Sequence, residues 1–116
     1  MKANELRIGN LYDNNGNYFV VTPSTIESVF ESERVWCKPI PLTEEWLFKC
    51  AFIKVDDEDE VYYTSGYNEF HIKIEDKVFW IYFDEQPNHP ITCVFNLHQL
   101  QNLIFALTEN ELNVTL

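Results

Sequence analysis

The stretch from Glu69 to Phe83 constrains the fold more than any other. Glu69-Phe70-His71-Ile72-Lys73-Ile74 alternates polar and apolar residues, so Phe70, Ile72 and Ile74 share one face of a strand. Lys77 to Phe83 is apolar on both faces and suits a central strand. Glu75 and Asp76 between them make a two-residue hairpin loop, which joins antiparallel neighbours. Val61 to Tyr63, followed by a Ser65-Gly66 turn, adds a strand before this pair. Ile91 to Phe95, after the polar loop Asp84 to Pro90, is a short strand or an extended lead-in. The pattern predicts an antiparallel meander of three to four strands.

Two helices flank or follow these strands. Pro39-Ile40-Pro41-Leu42 is extended, because each residue before a proline is pushed out of the α region. Thr43 is a good N-cap, and Glu44 and Glu45 fall in the first turn, where carboxylates favour the helix dipole. Trp46, Leu47, Cys50 and Ala51 form the apolar stripe of a helix of two to three turns. The clearest helix begins at Asn96, with Gln99 placed to complete a capping box. Leu97, Leu100, Leu103, Ile104 and Leu107 lie on one side, predicted to pack on the sheet against Phe70, Ile72 and Ile74. His98, Gln101, Asn102 and Phe105 fall opposite, an uncharged face rich in hydrogen-bonding groups. That face is the candidate interaction surface, the alternative being a second layer of the same protein. Leu112, Val114 and Leu116 alternate and are candidates for an edge strand.

The first third reads as β. Asp13-Asn14-Asn15-Gly16-Asn17 is a dense turn signal joining Ile8–Tyr12 to Tyr18–Val21. Thr22-Pro23-Ser24 breaks the chain, and Ile26–Phe30 and Arg34–Lys38 supply two further strands around Glu31-Ser32-Glu33. Short strands at this spacing suggest a small curled sheet or an SH3-like barrel. The fold class is therefore α+β: N-terminal β-structure, a short helix, an antiparallel meander and a C-terminal amphipathic helix packed on the sheet. The prolines mark a candidate division between β-rich 1–38 and α+β 39–116. Neither half buries much alone, so residues 1–116 are read as one domain.

Charge and cysteine usage bound the function. With 19 acidic and 8 basic side chains the formal charge is −11. Such a surface argues against direct nucleic-acid binding, which needs a Lys/Arg footprint on phosphates, and against anionic membranes. It fits a basic partner, a bound cation, or solubility. Cys37, Cys50 and Cys93 sit among apolar residues without C-x-x-C or closely spaced histidine, which predicts reduced thiols, at least two of them buried. No apolar leader follows Met1, and no apolar run reaches transmembrane length. These features point to a reducing cytoplasm.

No catalytic motif stands out. Asp56-Asp57-Glu58-Asp59-Glu60 lacks the glycine and the spacing of a calcium loop and reads as a solvated loop. His71, between Glu69 and Lys73, reads as solvated on the polar face of its strand, and His89 sits in a proline loop. There is no glycine-rich phosphate loop, nucleophile elbow, H-E-x-x-H or paired zinc motif. The expectation is a non-enzymatic protein with no catalytic residue, metal or cofactor.

Three segments carry a family resemblance: Met1-Lys2-Ala3-Asn4-Glu5-Leu6-Arg7-Ile8-Gly9-Asn10, Lys38-Pro39-Ile40-Pro41-Leu42-Thr43-Glu44-Glu45-Trp46-Leu47, and His98-Gln99-Leu100-Gln101-Asn102-Leu103-Ile104-Phe105-Ala106-Leu107-Thr108. Together they resemble a family of short proteins, without assigned biochemistry, carried by bacteriophages, prophages and mobile elements of gut anaerobes. Ile104 stands where that family often has tyrosine, and the acidic central loop is a further departure. The resemblance transfers no catalytic or binding residue. It implies the cytoplasm of a bacterial host and a role in host takeover, counter-defence or phage development. The leading expectation is a protein-interaction module with a protein partner, and self-association is compatible with it. The alternatives are an acidic nucleic-acid mimic, using Asp56–Glu60 with Glu27, Glu31 and Glu33, and a protein that sequesters a small ligand.

Overall fold

In the computed structural model the described residues are 7–14, 16–24, 38–58, 60–64, 70–86, 88–109, 111–112 and 114–115. The alternating stretch forms β5 (Phe70–Glu75) and the run after it β6 (Val78–Phe83), antiparallel with Phe70 opposite Phe83 and Ile72 opposite Ile81. The hairpin loop lies one residue later than predicted. Asp76 and Lys77 both take positive φ, 51° and 65°, the pairing a tight two-residue hairpin turn requires. The predicted turn at Ser65-Gly66 lies outside the described residues.

Five strands, one more than expected, complete the sheet in the order β3-β4-β5-β6-β7, all antiparallel. They are β3 (Ile53–Asp56), β4 (Val61–Thr64), β5, β6 and β7 (Pro90–Val94). β3 was not anticipated, because three of its four residues are exposed and no burial pattern marks it. Pro90 opens edge strand β7, a position where its missing N–H costs no ladder bond. Tyr63, Phe70, Ile72, Phe79, Ile81 and Val94 are buried and share one face by register.

Helix α1 (Glu44–Lys49) starts where Thr43 predicts. The Thr43 hydroxyl accepts the Trp46 N–H at 3.3 Å, and Trp46 and Leu47 are buried. Ala51, read as part of the stripe, is instead exposed and left-handed at φ 65°. The helix meets the apolar face at Tyr63: Glu44 accepts the Tyr63 hydroxyl, and the Phe48 ring lies 6.1 Å from that of Tyr63.

The sheet and α1 belong to one of two compact units, Leu42–Phe95 with Leu112–Leu116. The other comprises Met1–Pro41 with Asn96–Glu111. In that second unit β1 (Leu11–Asn14) and β2 (Asn17–Val20) form an antiparallel hairpin. Gly16 turns it at φ 90°, and its N–H donates to the Asp13 carboxylate at 2.7 Å. Asp13 exchanges backbone hydrogen bonds with Lys38 at 2.9 and 3.0 Å. The predicted strand Ile26–Phe30 and all of Arg34–Lys38 except Lys38 lie outside the described residues.

Helix α2 (Leu97–Thr108) belongs to this same unit and packs on β1. The Asn96 N–H donates to the Gln99 side chain at 3.0 Å, the reach-back bond of the capping box, and Glu109 ends the helix at φ 61°. The C-terminal amphipathic helix thus packs on β-structure as predicted, and within its own unit the strand it meets is β1, which periodicity alone does not select. The buried side is Leu97, His98, Leu100, Gln101 and Ile104, whereas Leu103 is half-buried and Leu107 exposed. The predicted tail strand does not form among the described residues, although the Thr115 N–H donates to the Lys49 carbonyl at 2.7 Å.

Burial raises the Tyr63 hydroxyl from about 10 up to about 12, and its bond to the charged Glu44 adds to the rise. The same bond is the main cause that lowers Glu44, with Lys54 assisting against partial burial. Folding therefore holds Tyr63 protonated, and that contribution is present below pH 10 and lost as pH rises through about 12. Glu44 works oppositely: its contribution is present above its unfolded pKa and lost as pH falls through its lowered value. Phenolate absorbance is expected to show a late-titrating step that disappears in Tyr63→Phe. A variant that retains the late step would assign it to another tyrosine.

Candidate functional site

The sheet face opposite the apolar one carries Tyr62 and Thr64 of β4, His71 and Lys73 of β5, and Trp80 and Tyr82 of β6, brought into line by register. Along it lies a recess of about 350 Å³ lined by Asp57, Glu60, Tyr62, Thr64, His71 and Asp84. Its acidic wall comes from the β3–β4 turn, closed by backbone bonds between Asp57 and Glu60 at 2.8 and 3.2 Å. Of the acidic run, Asp56 ends β3, and Asp57 and Glu60 are tied to each other by those bonds.

His71 is not solvated, as its flanking charges suggested, but 6% exposed. Its Nδ1 lies 2.8 Å from an Asp84 carboxylate oxygen. Its ring stacks parallel to Tyr82 at 5.2 Å and meets the edge of Tyr62 at 5.5 Å. The covering groups come from β4, β6 and the residue after β6, none adjacent in sequence. The available signal was that Lys77–Phe83 is apolar on both faces, so its second face needed neighbours of its own. Lys73 extends the same wall: its ammonium lies 3.1 Å from a Glu60 carboxylate oxygen and 4.8 Å from the centre of the Tyr82 ring.

Chemically, such a wall can attract cations. Carboxylates accept charge-assisted hydrogen bonds, and aromatic faces attract cations. Among the described residues no hydroxyl or thiol is hydrogen-bonded to His71, and the Thr64 hydroxyl donates to the Phe70 carbonyl at 3.5 Å. Among the described residues no three His, Cys, Asp or Glu side chains assemble as a metal-holding group. Cys50 is buried, which pushes its thiol up to about 12, and Cys93 is half-buried; both are free. Cys37 lies outside the described residues, so the expected second buried thiol is not found among those described.

The face predicted on the last helix, His98, Gln101, Asn102 and Phe105, is engaged inside its own unit. Gln101 is 2% exposed; its carbonyl oxygen accepts the Leu11 N–H at 2.9 Å and its amide donates to the Gly9 carbonyl at 3.3 Å. The Asn102 side-chain oxygen accepts from Arg7 Nε at 2.7 Å and from the Asn10 amide at 2.8 Å. The Arg7 guanidinium lies 4.5 Å from the centre of the Phe105 ring and pairs with Glu111. His98 is buried, and His89 is exposed in its loop. Sequence did not show that Arg7, Gly9, Asn10 and Leu11 meet Gln101, Asn102 and Phe105 of this face.

Among the described residues no helix is long and apolar enough to cross a membrane. No family model, no curated protein and no solved structure matches this chain.

Proposed function

We propose that this chain is a non-enzymatic interaction module whose recess receives a cationic side chain of a basic protein partner. The observation that supports this reading is the recess wall: Asp57, Glu60 and Asp84 beside Tyr62 and the buried His71. The formal charge of −11 draws a basic partner from a distance, more strongly at low salt. An anionic small ligand finds the wrong sign at this recess. On this reading the partner is a protein of a bacterial host's cytoplasm, met in takeover or counter-defence, as the resemblance to phage and mobile-element proteins implies.

Titrating isotopically labelled protein with an oligoarginine peptide tests this. The amide signals of Tyr62, His71 and Asp84 are expected to shift together and saturably, and Asp57→Asn with Glu60→Gln to weaken the effect severalfold. An oligoglutamate peptide is expected to shift none of them. Shifts scattered over every acidic side chain, unchanged in the double variant, would sink the proposal.

A further inference from the structure

Resting on that reading, we infer that Lys73 is a built-in competitor for the recess, holding from within the chain the place a partner's arginine takes. Its side chain is 14% exposed, deep for an ammonium, and it uses both chemistries of the wall. One is the Glu60 carboxylate, which also lines the recess; the other is the face of Tyr82, the ring on which His71 stacks. The chain thus already satisfies part of its cation site with its own cation. Lys73 is fixed to β5 through its backbone, so its ammonium can leave Glu60 by side-chain rotation without opening the sheet.

The expected occupant is a guanidinium rather than an ammonium. A planar fork bonds a carboxylate through two parallel N–H groups and stacks on aromatic rings, while an ammonium does neither. Arginine can therefore displace Lys73 from Glu60, whereas a partner lysine exchanges like for like. Self-occupation lowers the apparent affinity of every cation at Glu60 by the same factor, so the preference for a guanidinium comes from its own bidentate and stacking contacts.

Calorimetric titration with oligoarginine provides the test, with thermal melts confirming that each variant folds. Lys73→Met keeps the aliphatic stem and is expected to tighten binding about two- to fivefold, the range for releasing a partly exposed ion pair. Lys77→Met removes the same charge from the β5–β6 turn and is expected to give a smaller gain. In Lys73→Met with Glu60→Gln the gain is expected to vanish. Lys73→Gln carries the same comparison if the methionine variant does not fold. Equal gains in Lys73→Met and Lys77→Met would overturn the competitor role while leaving the recess intact, provided Glu60→Gln still weakens binding. Oligolysine binding as tightly as oligoarginine would overturn the guanidinium preference. Peptide binding that ignores Asp57, Glu60 and Lys73 alike would remove the recess reading itself.

Discussion

Leu100→Ala is expected to destabilise the protein by about 2–5 kcal/mol, the cost of emptying a fully buried leucine site. Leu100 is 0% exposed, between Leu97 and Ile104 on the inward side of α2. Leu103 belongs to the same leucine pattern but is half-buried, so Leu103→Ala is expected to cost clearly less. Gln101→Ala is expected to cost about 1–3 kcal/mol although it removes no apolar surface, because the buried Leu11 N–H then loses its acceptor. Urea unfolding followed by circular dichroism gives all three values on one scale. An order in which Leu103 exceeds Leu100 and Gln101→Ala is neutral would restore the leucine stripe as the buried side and free the polar face for a partner.

That contrast shows what the chain discloses locally and what it does not. Thr43 and Asn96 were legible as helix starts because capping involves neighbours within three residues. The strands β4, β5, β6 and β7 were legible because alternation and apolar runs mark half-buried and buried strands. β3 was not, since an exposed edge strand such as Ile53–Asp56 is held by backbone bonds to β4 and carries no side-chain pattern of its own. The seat of α2 was not legible either. Its stripe specifies that something apolar covers it, and β1 and the sheet strands satisfy that demand equally on paper. The inward turn of the polar face depends on Gly9, Asn10 and Leu11, some 90 residues earlier, presenting backbone and amide groups at the right height. The recess fails for the same reason: Tyr62, His71, Tyr82 and Asp84 become neighbours only through strand register. Lys73 beside His71 looked like a mark of solvation, yet its ammonium is drawn in by Glu60 from another strand connection.

Trp46→Ala is expected to be the most damaging single substitution in the sheet-bearing unit, at about 3–5 kcal/mol. Helix α1 has six residues, far too few to be stable without tertiary contacts, so its burial has to supply what its hydrogen bonds do not. Trp46 and Leu47 are 7% and 0% exposed, and they carry that burial. Phe48, one position further, is 47% exposed, so Phe48→Ala is expected to cost much less despite removing an aromatic ring. The loss has a second signature that simple cavity formation lacks. If α1 loosens from the sheet, Glu44 leaves the Tyr63 hydroxyl and water reaches it, and the two causes that raise Tyr63 to about 12 weaken together. The phenol is then expected to titrate closer to 10 in Trp46→Ala at temperatures where the protein remains folded, and to keep its late titration in Phe48→Ala. A large loss of stability with Tyr63 still titrating late would mean that α1 stays docked around a hole. In that case its anchorage would have to be reassigned from Trp46 to Leu47 and the Glu44–Tyr63 bond.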